Sequence, residues 1–161
     1  MSKYKPDIHY EKITINEEDK QIILSSAKTC RISDLRGRAF RAPWTVSDDN
    51  GNNAIMLCVE NPESSVTESM KCDTIKFLNT RGVSVDKPNN EGMSALILAT
   101  INQEEHVVKC LLELKAVTNM TNSMRRSALH FAVLGKRSQT DLIRDTMENP
   151  RGVLEQCKEL L

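Results

Sequence analysis

The sequence predicts an all-α fold, a short solenoid of stacked antiparallel helix pairs joined by hairpin-like loops. Three observations predict it. A short segment recurs with a regular period, each copy opens with a residue suited to cap a helix, and one second helix carries a very wide apolar stripe. A single helix pair could not cover that stripe, so neighbouring units must bury it.

The repeat is clearest between segments 90–99 and 123–132, which align without a gap and define the period. An earlier copy begins at Asp49. One period before Asn90 is position 57, so this copy starts further upstream than the period alone would place it. The second halves of the first two units, 73–78 and 106–111, are again separated by one period. The excess in the first unit therefore falls near 61–68, where Pro and Ser predict a loop.

Each unit has the pattern of a helix pair. Ser94 and Ser127 can accept hydrogen bonds from the first free N–H groups of a helix, which makes each a good N-cap. Leu96 and Ala99 then fall three apart, on one face of a short helix, and the next unit keeps this spacing. The wide stripe of the middle unit's second helix consists of Val107, Val108, Cys110, Leu111, Leu112 and Leu114.

These units resemble the ankyrin repeat. Residues 94–97 and 127–130 stand where that family has its Thr-Pro-Leu-His signature. Residues 105–116 are similar to its second helix and Gly-Ala exit, and 81–86 are similar to the same exit one unit earlier. The resemblance covers roughly residues 48–148 and implies an ankyrin-repeat solenoid.

The resemblance also implies a domain organisation. The chain divides into an N-terminal arm with a degenerate capping helix (1–47), a repeat with an insertion near 61–68 (48–88), a second repeat (89–121), a divergent third repeat (122–148) and a C-terminal capping helix (149–161).

Several positions depart from the family pattern. Alanine replaces the proline of the first helical turn at three places, which removes a preset φ and weakens each unit slightly. Lys115 stands where Gly normally ends the second helix with positive φ, and Arg125 stands where Gly shapes the hairpin; each costs about 1 kcal/mol or forces a local change. The alanines that replace proline are Ala54, Ala95 and Ala128. The third unit loses register after Gly135, and Leu142, Ile143 and Met147 regain an apolar face only with a short insertion.

Helices at both flanks are expected to close the stack. An N-cap and an acidic first turn at residues 16–19 predict a helix with Ile22, Ile23, Ala27 and Cys30 on its apolar side. After the break at Asn149-Pro150, a helical stripe either covers the last repeat or docks a partner or a second copy; it comprises Val153, Leu154, Cys157, Leu160 and Leu161.

The resemblance places a partner-binding surface on the hairpin tips and on the exposed side of the first helices. Soft apolar groups flanked by charge are typical of protein-binding surfaces. Individual methionines have the alternative of packing between hairpins. The matching positions, which we expect to line one concave strip, are Asn90, Glu91, Met93, Ile101, Asn102, Ser123, Met124, Arg126, Val133 and Leu134, preceded in the first unit by Asp49, Asn50, Asn52, Glu60 and Asn61.

Catalytic and metal sites are poorly supported. A nucleophile beside a base would need Cys30, Cys58 or Cys110 near His106 or His130. His130 stands at the family's histidine position, where the resemblance implies a hydrogen-bonding bracket between units. His106 and Cys110 are spaced as two metal ligands, but no second pair accompanies them. We therefore expect no enzyme, no metal and no cofactor.

Composition limits the classes of partner and the cellular compartments that we expect. Lys+Arg and Asp+Glu balance at 22 each, and aromatic residues make up only 4%, so neither nucleic acid nor a membrane is the expected partner. Five cysteines without a close pair predict reduced thiols. No apolar run suits a signal peptide or a membrane span. We expect a cytoplasmic protein, with passage into the nucleus left open.

The sequence thus predicts a non-catalytic module that binds another protein through its concave surface, with a regulatory inhibitor as the narrower form of this role. The alternative is a scaffold or assembly subunit that uses its C-terminal helix. A cysteine-dependent enzyme is the remote third hypothesis. We expect a monomer, with weak dimerisation left open; the sequence does not identify the partner.

Overall fold

The structure, a computed structural model, describes residues 17–36, 44–63 and 65–134. This part of the chain contains no strand, and none of its helices is long and apolar enough to cross a bilayer. Its helices are α1 (Glu17–Lys28), α2 (Ile32–Arg36), α3 (Ala54–Val59), α4 (Glu68–Thr80), α5 (Ala95–Ile101), α6 (Glu105–Glu113) and α7 (Ala128–Leu134).

The helices stack in two rows. Helices α1, α3, α5 and α7 contact one another in that order and form the first row. Helices α4 and α6 contact each other in the second row, and each packs against the first-row helix that precedes it in the chain. The predicted all-α solenoid of helix pairs is therefore confirmed.

One continuous core runs through the stack, from Ile23 in α1 to Phe131 in α7. Ile55, Ile75 and Leu111 are completely buried within it. Burying a side chain of this size contributes roughly 1.5–3 kcal/mol, and here every helix pair shares its core with a neighbour. The stack is therefore the stable unit. Of the predicted stripe of α6, Val107, Cys110 and Leu111 are buried, whereas Leu112 is 42% exposed.

The predicted helix start at Ser94 is confirmed, because its hydroxyl accepts a hydrogen bond from Ile97 N–H at 3.3 Å. Asn53 caps α3 in the same way and also donates to Ser84 O at 2.8 Å. The Ser127 hydroxyl instead lies 2.8 Å from His130 Nδ1. His130 thus contacts a residue of its own unit through Nδ1, and the bracket between units that the resemblance implied stays a prediction.

Two non-glycine residues adopt the left-handed conformation that their repeat positions demand. Gly82 has a φ of +87°, and Lys115, one period later, has +65°. Gly92 has +77° and Arg125, again one period later, has +61°. The backbone of the repeat therefore overrides the local preference of both side chains, which is one of the two outcomes that the sequence left open.

The N-terminal helix pair lies beside the first full pair. Helix α1 buries Ile23, Leu24 and Ala27, so Leu24 joins the predicted face, whereas Ile22 is only half-buried. The guanidinium of Arg36, at the end of α2, lies 5.9 Å from the ring centroid of Phe77 in α4. The prediction for residues 149–161 and the register shift after Gly135 lie outside the described residues.

Candidate functional site

Three hairpin tips, residues 48–53, 89–94 and 122–127, precede the helices α3, α5 and α7. Each tip begins with Asp or Asn, whose side chain folds back onto the turn. Asp48 Oδ1 accepts from Asn52 N–H at 2.7 Å, and Asn122 Oδ1 accepts from Met124 N–H at 3.0 Å. Asn89 Oδ1 accepts two backbone N–H groups in the same manner. These side-chain bonds are the local reason for the turns.

Neighbouring tips are joined by backbone hydrogen bonds. Asn90 N–H donates to Asn50 O at 3.0 Å, and Ser123 N–H donates to Glu91 O at 2.9 Å. The Asn90 side chain adds a bond to Asp49 O at 3.0 Å. The three tips therefore form one connected edge. The name tip strip is used below for this edge and the C-terminal ends of α3 and α5.

The structure brings most of the predicted partner-binding residues to the tip strip. Met124 is 63% exposed, which makes it the most exposed of the large apolar side chains in the described part of the chain. Asn90, Glu91, Asn102 and Ser123 are also exposed, and Ile101 and Arg126 are half-buried.

Two of the predicted partner-binding residues have no exposed side chain in the described part of the structure. Met93 is only 6% exposed, and Asn122 Nδ2 lies 3.5 Å from its sulfur. Met93 thus packs between tips and presents no side-chain surface, which corrects its prediction as a partner-binding residue. Leu134 is the last residue of α7, and its side chain lies outside the described residues.

Two residues of the first unit are likewise turned inwards. Asn52 is 4% exposed and Asn61 is 6% exposed, so both are structural and not available to a partner. Asn102, although exposed, donates from Nδ2 to Val59 O at 3.1 Å and so links the ends of α5 and α3. Its side chain is held in place before any partner binds.

An acidic recess of about 220 Å³ lies between the first two tips; it is lined by Asn50, Asn52, Glu60, Asn89, Asn90 and Glu91. Partial burial raises the pKa of the Glu60 carboxyl, and repulsion from Asp48 and Glu91 adds to this effect. Glu60 and Glu91 bring two carboxylates to this lining, so its charge favours a hydrogen-bond donor or a cation.

A larger apolar groove of about 700 Å³ lies against α6 and α7, where Val108, Leu112 and Leu129 contribute to its lining. It is on the side of the stack where the order of the repeats places the second helix of a third pair. The repeat order therefore predicts that a further helix covers this groove, a prediction that lies outside the described residues. Ser127, at the end of the third tip, also lines the groove.

The cysteine and histidine candidates form no catalytic pair within the described residues. His106 is 75% exposed at its side chain and lies 3.6 Å from Glu68 Oε2. Burial raises the pKa of the Cys110 thiol and raises that of Cys72 to about 12, where a nearby Cys110 adds to the effect. Such thiols are weak nucleophiles at neutral pH.

The described residues also contain no group of three or more His, Cys, Asp or Glu side chains that could hold a metal ion. His106 and Cys110 therefore have no third ligand there.

Sequence reasoning missed the role of Asp48, Asn89 and Asn122. The signal was present, because the three residues stand at offsets of 41 and 33, the same offsets as the rest of the repeat. It also missed Lys71, which is 3% exposed although it lies on a helix with polar neighbours. Nothing in the local pattern around Lys71 indicates that this ammonium is buried.

A comparison with protein-family models finds a match to a model described as ankyrin repeats, in three copies, over residues 63–144. The match begins in the loop before α4 and covers just over half of the 161 residues. A search of the curated proteins finds no match to the chain.

Proposed function

We infer that this chain binds a partner protein through the tip strip. The chain belongs to the ankyrin-repeat family, whose repeats are generally protein–protein interaction modules. The family membership supports a protein partner. The choice of surface is our proposal and comes from the geometry of the tips.

The observation that carries the proposal is the chain of hydrogen bonds between neighbouring tips. Asn90 bonds to Asn50 and Ser123 bonds to Glu91 through the backbone, so the tips are ordered in the free protein. A surface that is already ordered loses little conformational entropy on binding. The exposed side chains of the strip are thus presented to a partner in fixed relative positions.

The chemistry of the strip indicates what it would contact. Met124 offers a flexible apolar contact at the third tip, and methionine adapts to irregular partner surfaces. The acidic recess beside Glu60 and Glu91 suits a basic or amide side chain of the partner. A partner that places an apolar group about one tip away from a basic group would satisfy both.

The narrower proposal is that the module acts as a regulatory inhibitor in the cytoplasm. Occupancy of a partner's surface by a rigid strip would block other uses of that surface without any catalytic step. This narrower role rests on fold analogy with other ankyrin proteins.

The test is affinity capture from a lysate of the source cells, with the captured proteins measured by mass spectrometry. Met124→Glu should reduce capture of the main partner at least tenfold, because it places a charge in an apolar contact. The matched control is Met70→Glu. Met70 is 43% exposed in the first turn of α4, in the second row, where an added carboxylate favours the helix.

Both variants should keep the helical circular dichroism of the unaltered protein. Capture that survives Met124→Glu, or that is lost equally with Met70→Glu, would contradict the proposed surface.

A further inference from the structure

Two buried thiols face each other where the N-terminal helix pair meets the first repeat. The sulfur of Cys30, just after α1, lies 3.0 Å from the sulfur of Cys58, in α3. Cys30 is 4% exposed and Cys58 is fully buried. This separation is shorter than an ordinary contact between two sulfur atoms and exceeds the roughly 2.05 Å of a disulfide by only about 1 Å.

The backbone holds Cys30 in this place. Its φ is +52°, a left-handed conformation that favours glycine. Cys30 N–H donates to Ala27 O at 3.1 Å, and Arg31 N–H donates to Ser26 O at 3.0 Å. These two bonds form the turn that ends α1. The direction of the Cys30 side chain is therefore set by the helix end and not by a flexible loop.

Polar groups converge on the Cys30 sulfur. The Cys58 thiol donates a hydrogen bond that lowers the pKa of Cys30 despite its burial, and the Lys71 ammonium lowers it further, as do the side chains of Thr74 and Asn61. Asn61 Nδ2 is buried and has no hydrogen-bond partner of ordinary geometry among the described residues. A negative sulfur at Cys30 would give that amide an acceptor.

Cys58 has the opposite environment. The interaction with Cys30 and complete burial raise its pKa, so Cys30 ionises more readily than Cys58. Its sulfur also lies 3.7 Å from Lys71 O. The two sulfurs therefore differ in role, since one is the better nucleophile and the other remains a thiol beside it.

We propose that Cys30 and Cys58 form a redox-active dithiol, oxidised by hydroperoxides to a disulfide that joins α1 to the first repeat. This inference is independent of partner binding. The juxtaposed sulfurs, the fixed turn at Cys30 and the unpartnered buried amide of Asn61 are the features that carry it.

The chemistry takes two steps. The Cys30 thiolate attacks one oxygen of hydrogen peroxide, so an S–O bond forms and the O–O bond breaks, and the departing hydroxide takes up a proton as water. The Cys58 sulfur then attacks the Cys30 sulfur, the S–S bond forms, and the hydroxyl leaves with the Cys58 proton as a second water. Two thiols are oxidised by two electrons, and one peroxide is reduced to two waters.

The remaining pair of neighbouring cysteines provides an internal control. Burial raises the pKa values of both Cys72 and Cys110, and their thiols face backbone carbonyls, those of His106 and Cys72 respectively. The Lys76 ammonium lowers the pKa of both thiols, but burial outweighs it, so both pKa values lie above the ordinary value, whereas the pKa of Cys30 lies below it. Peroxide should therefore leave these two thiols reduced while the Cys30–Cys58 pair is oxidised.

The experiment treats the full-length protein with hydrogen peroxide, blocks the remaining thiols with an alkylating agent and maps the peptides by mass spectrometry without reduction. The expected result is a linked pair of peptides that contain Cys30 and Cys58, with Cys72 and Cys110 alkylated. The thermal midpoint should rise by about 5 °C or more, because a cross-link restricts the unfolded chain, and it should return after reduction.

The order of the steps is tested with Cys58→Ser. This variant should accumulate a sulfenic acid at Cys30, trapped by dimedone, whereas Cys30→Ser should give no adduct at Cys58. Failure of either variant to fold would leave the peptide map of the unaltered protein as the deciding measurement. The proposal is overturned if the native protein keeps both thiols alkylatable, or if peroxide oxidises Cys72 or Cys110 at least as fast.

Discussion

The ammonium of Lys71 lies 2.6 Å from Glu104 Oε1, one repeat period along the chain, and it also donates to Val59 O and Asn61 O. The Lys71 side chain is 4% exposed and that of Glu104 is 16% exposed. All three donors of the ammonium are therefore satisfied inside the protein. The pair links the second helix of one repeat to the turn before the second helix of the next.

We expect Lys71→Met to lower the free energy of unfolding by about 3 kcal/mol, because removing one partner leaves a buried carboxylate uncompensated. Denaturant unfolding followed by circular dichroism measures this. In the double variant with Glu104→Gln, the loss should be smaller than the sum of the two single losses, since the residues are directly coupled.

The control is a pair with the same distance at the surface. Lys109 Nζ lies 2.6 Å from Glu105 Oε1, but the side chains are 64% and 74% exposed. Lys109→Met should leave stability nearly unchanged because solvent screens the pair. Equal losses for Lys71→Met and Lys109→Met would mean that burial does not determine the importance of the Lys71 pair.

Glycine should stabilise the protein at the two repeat positions where a bulkier residue is held at positive φ. Lys115→Gly and Arg125→Gly should each raise the free energy of unfolding by about 1 kcal/mol, because glycine adopts this conformation without a steric penalty. Thermal unfolding should show a rise of about 2–4 °C for each. Lys115→Ala is the control, and a gain equal to that of Lys115→Gly would show that strain at this φ is not the cause.

The two native glycines at these positions should differ in their tolerance of a methyl group. A Cβ at Gly82 would meet nothing within 4 Å, so Gly82→Ala should cost only the φ penalty, about 1 kcal/mol. A Cβ at Gly92 would lie 3.0 Å from the backbone nitrogen of Ser123 in the next tip. Gly92→Ala should therefore cost at least about 1 kcal/mol more, as the tips separate. Similar losses for both variants would contradict the close packing of the tips.

Most of the fold could be predicted from the repeat period. It located the helix pairs, the cap at Ser94 and the strained positions Lys115 and Arg125, because each of these depends on local spacing that recurs in the chain. It did not predict that Met93 points inwards, since the burial of a tip residue depends on how close the next tip lies. The approach of Cys30 to Cys58 was equally invisible, because it depends on how α1 packs against α3.

Part of the candidate site followed from the sequence for the same reason. The exposed tip residues Asn90, Glu91 and Met124 were placed by their register alone. The acidic recess was not predicted as a unit, because it joins Glu60, at the end of a helix, to residues of two tips. Only the stacked arrangement brings these carboxyls near one another.

The acidic recess should make stability depend on pH through Glu60. Its pKa is raised in the folded protein by burial and by repulsion from Asp48 and Glu91, so the folded state binds the proton more tightly than the unfolded state does. The stabilising contribution is thus fully present below the unfolded pKa of about 4.3 and is lost as the pH rises through the folded pKa. Glu60→Gln has no carboxylate to ionise at this position, so it should stabilise the protein at pH 7. The gain should be at most about 0.5 kcal/mol because solvent screens the charges, and the variant should have little effect at pH 3. Denaturant unfolding at several pH values measures the difference, with the exposed Glu63→Gln as the control. A stability gain that is the same at pH 3 and pH 7 would show that the carboxylates of the recess do not repel one another.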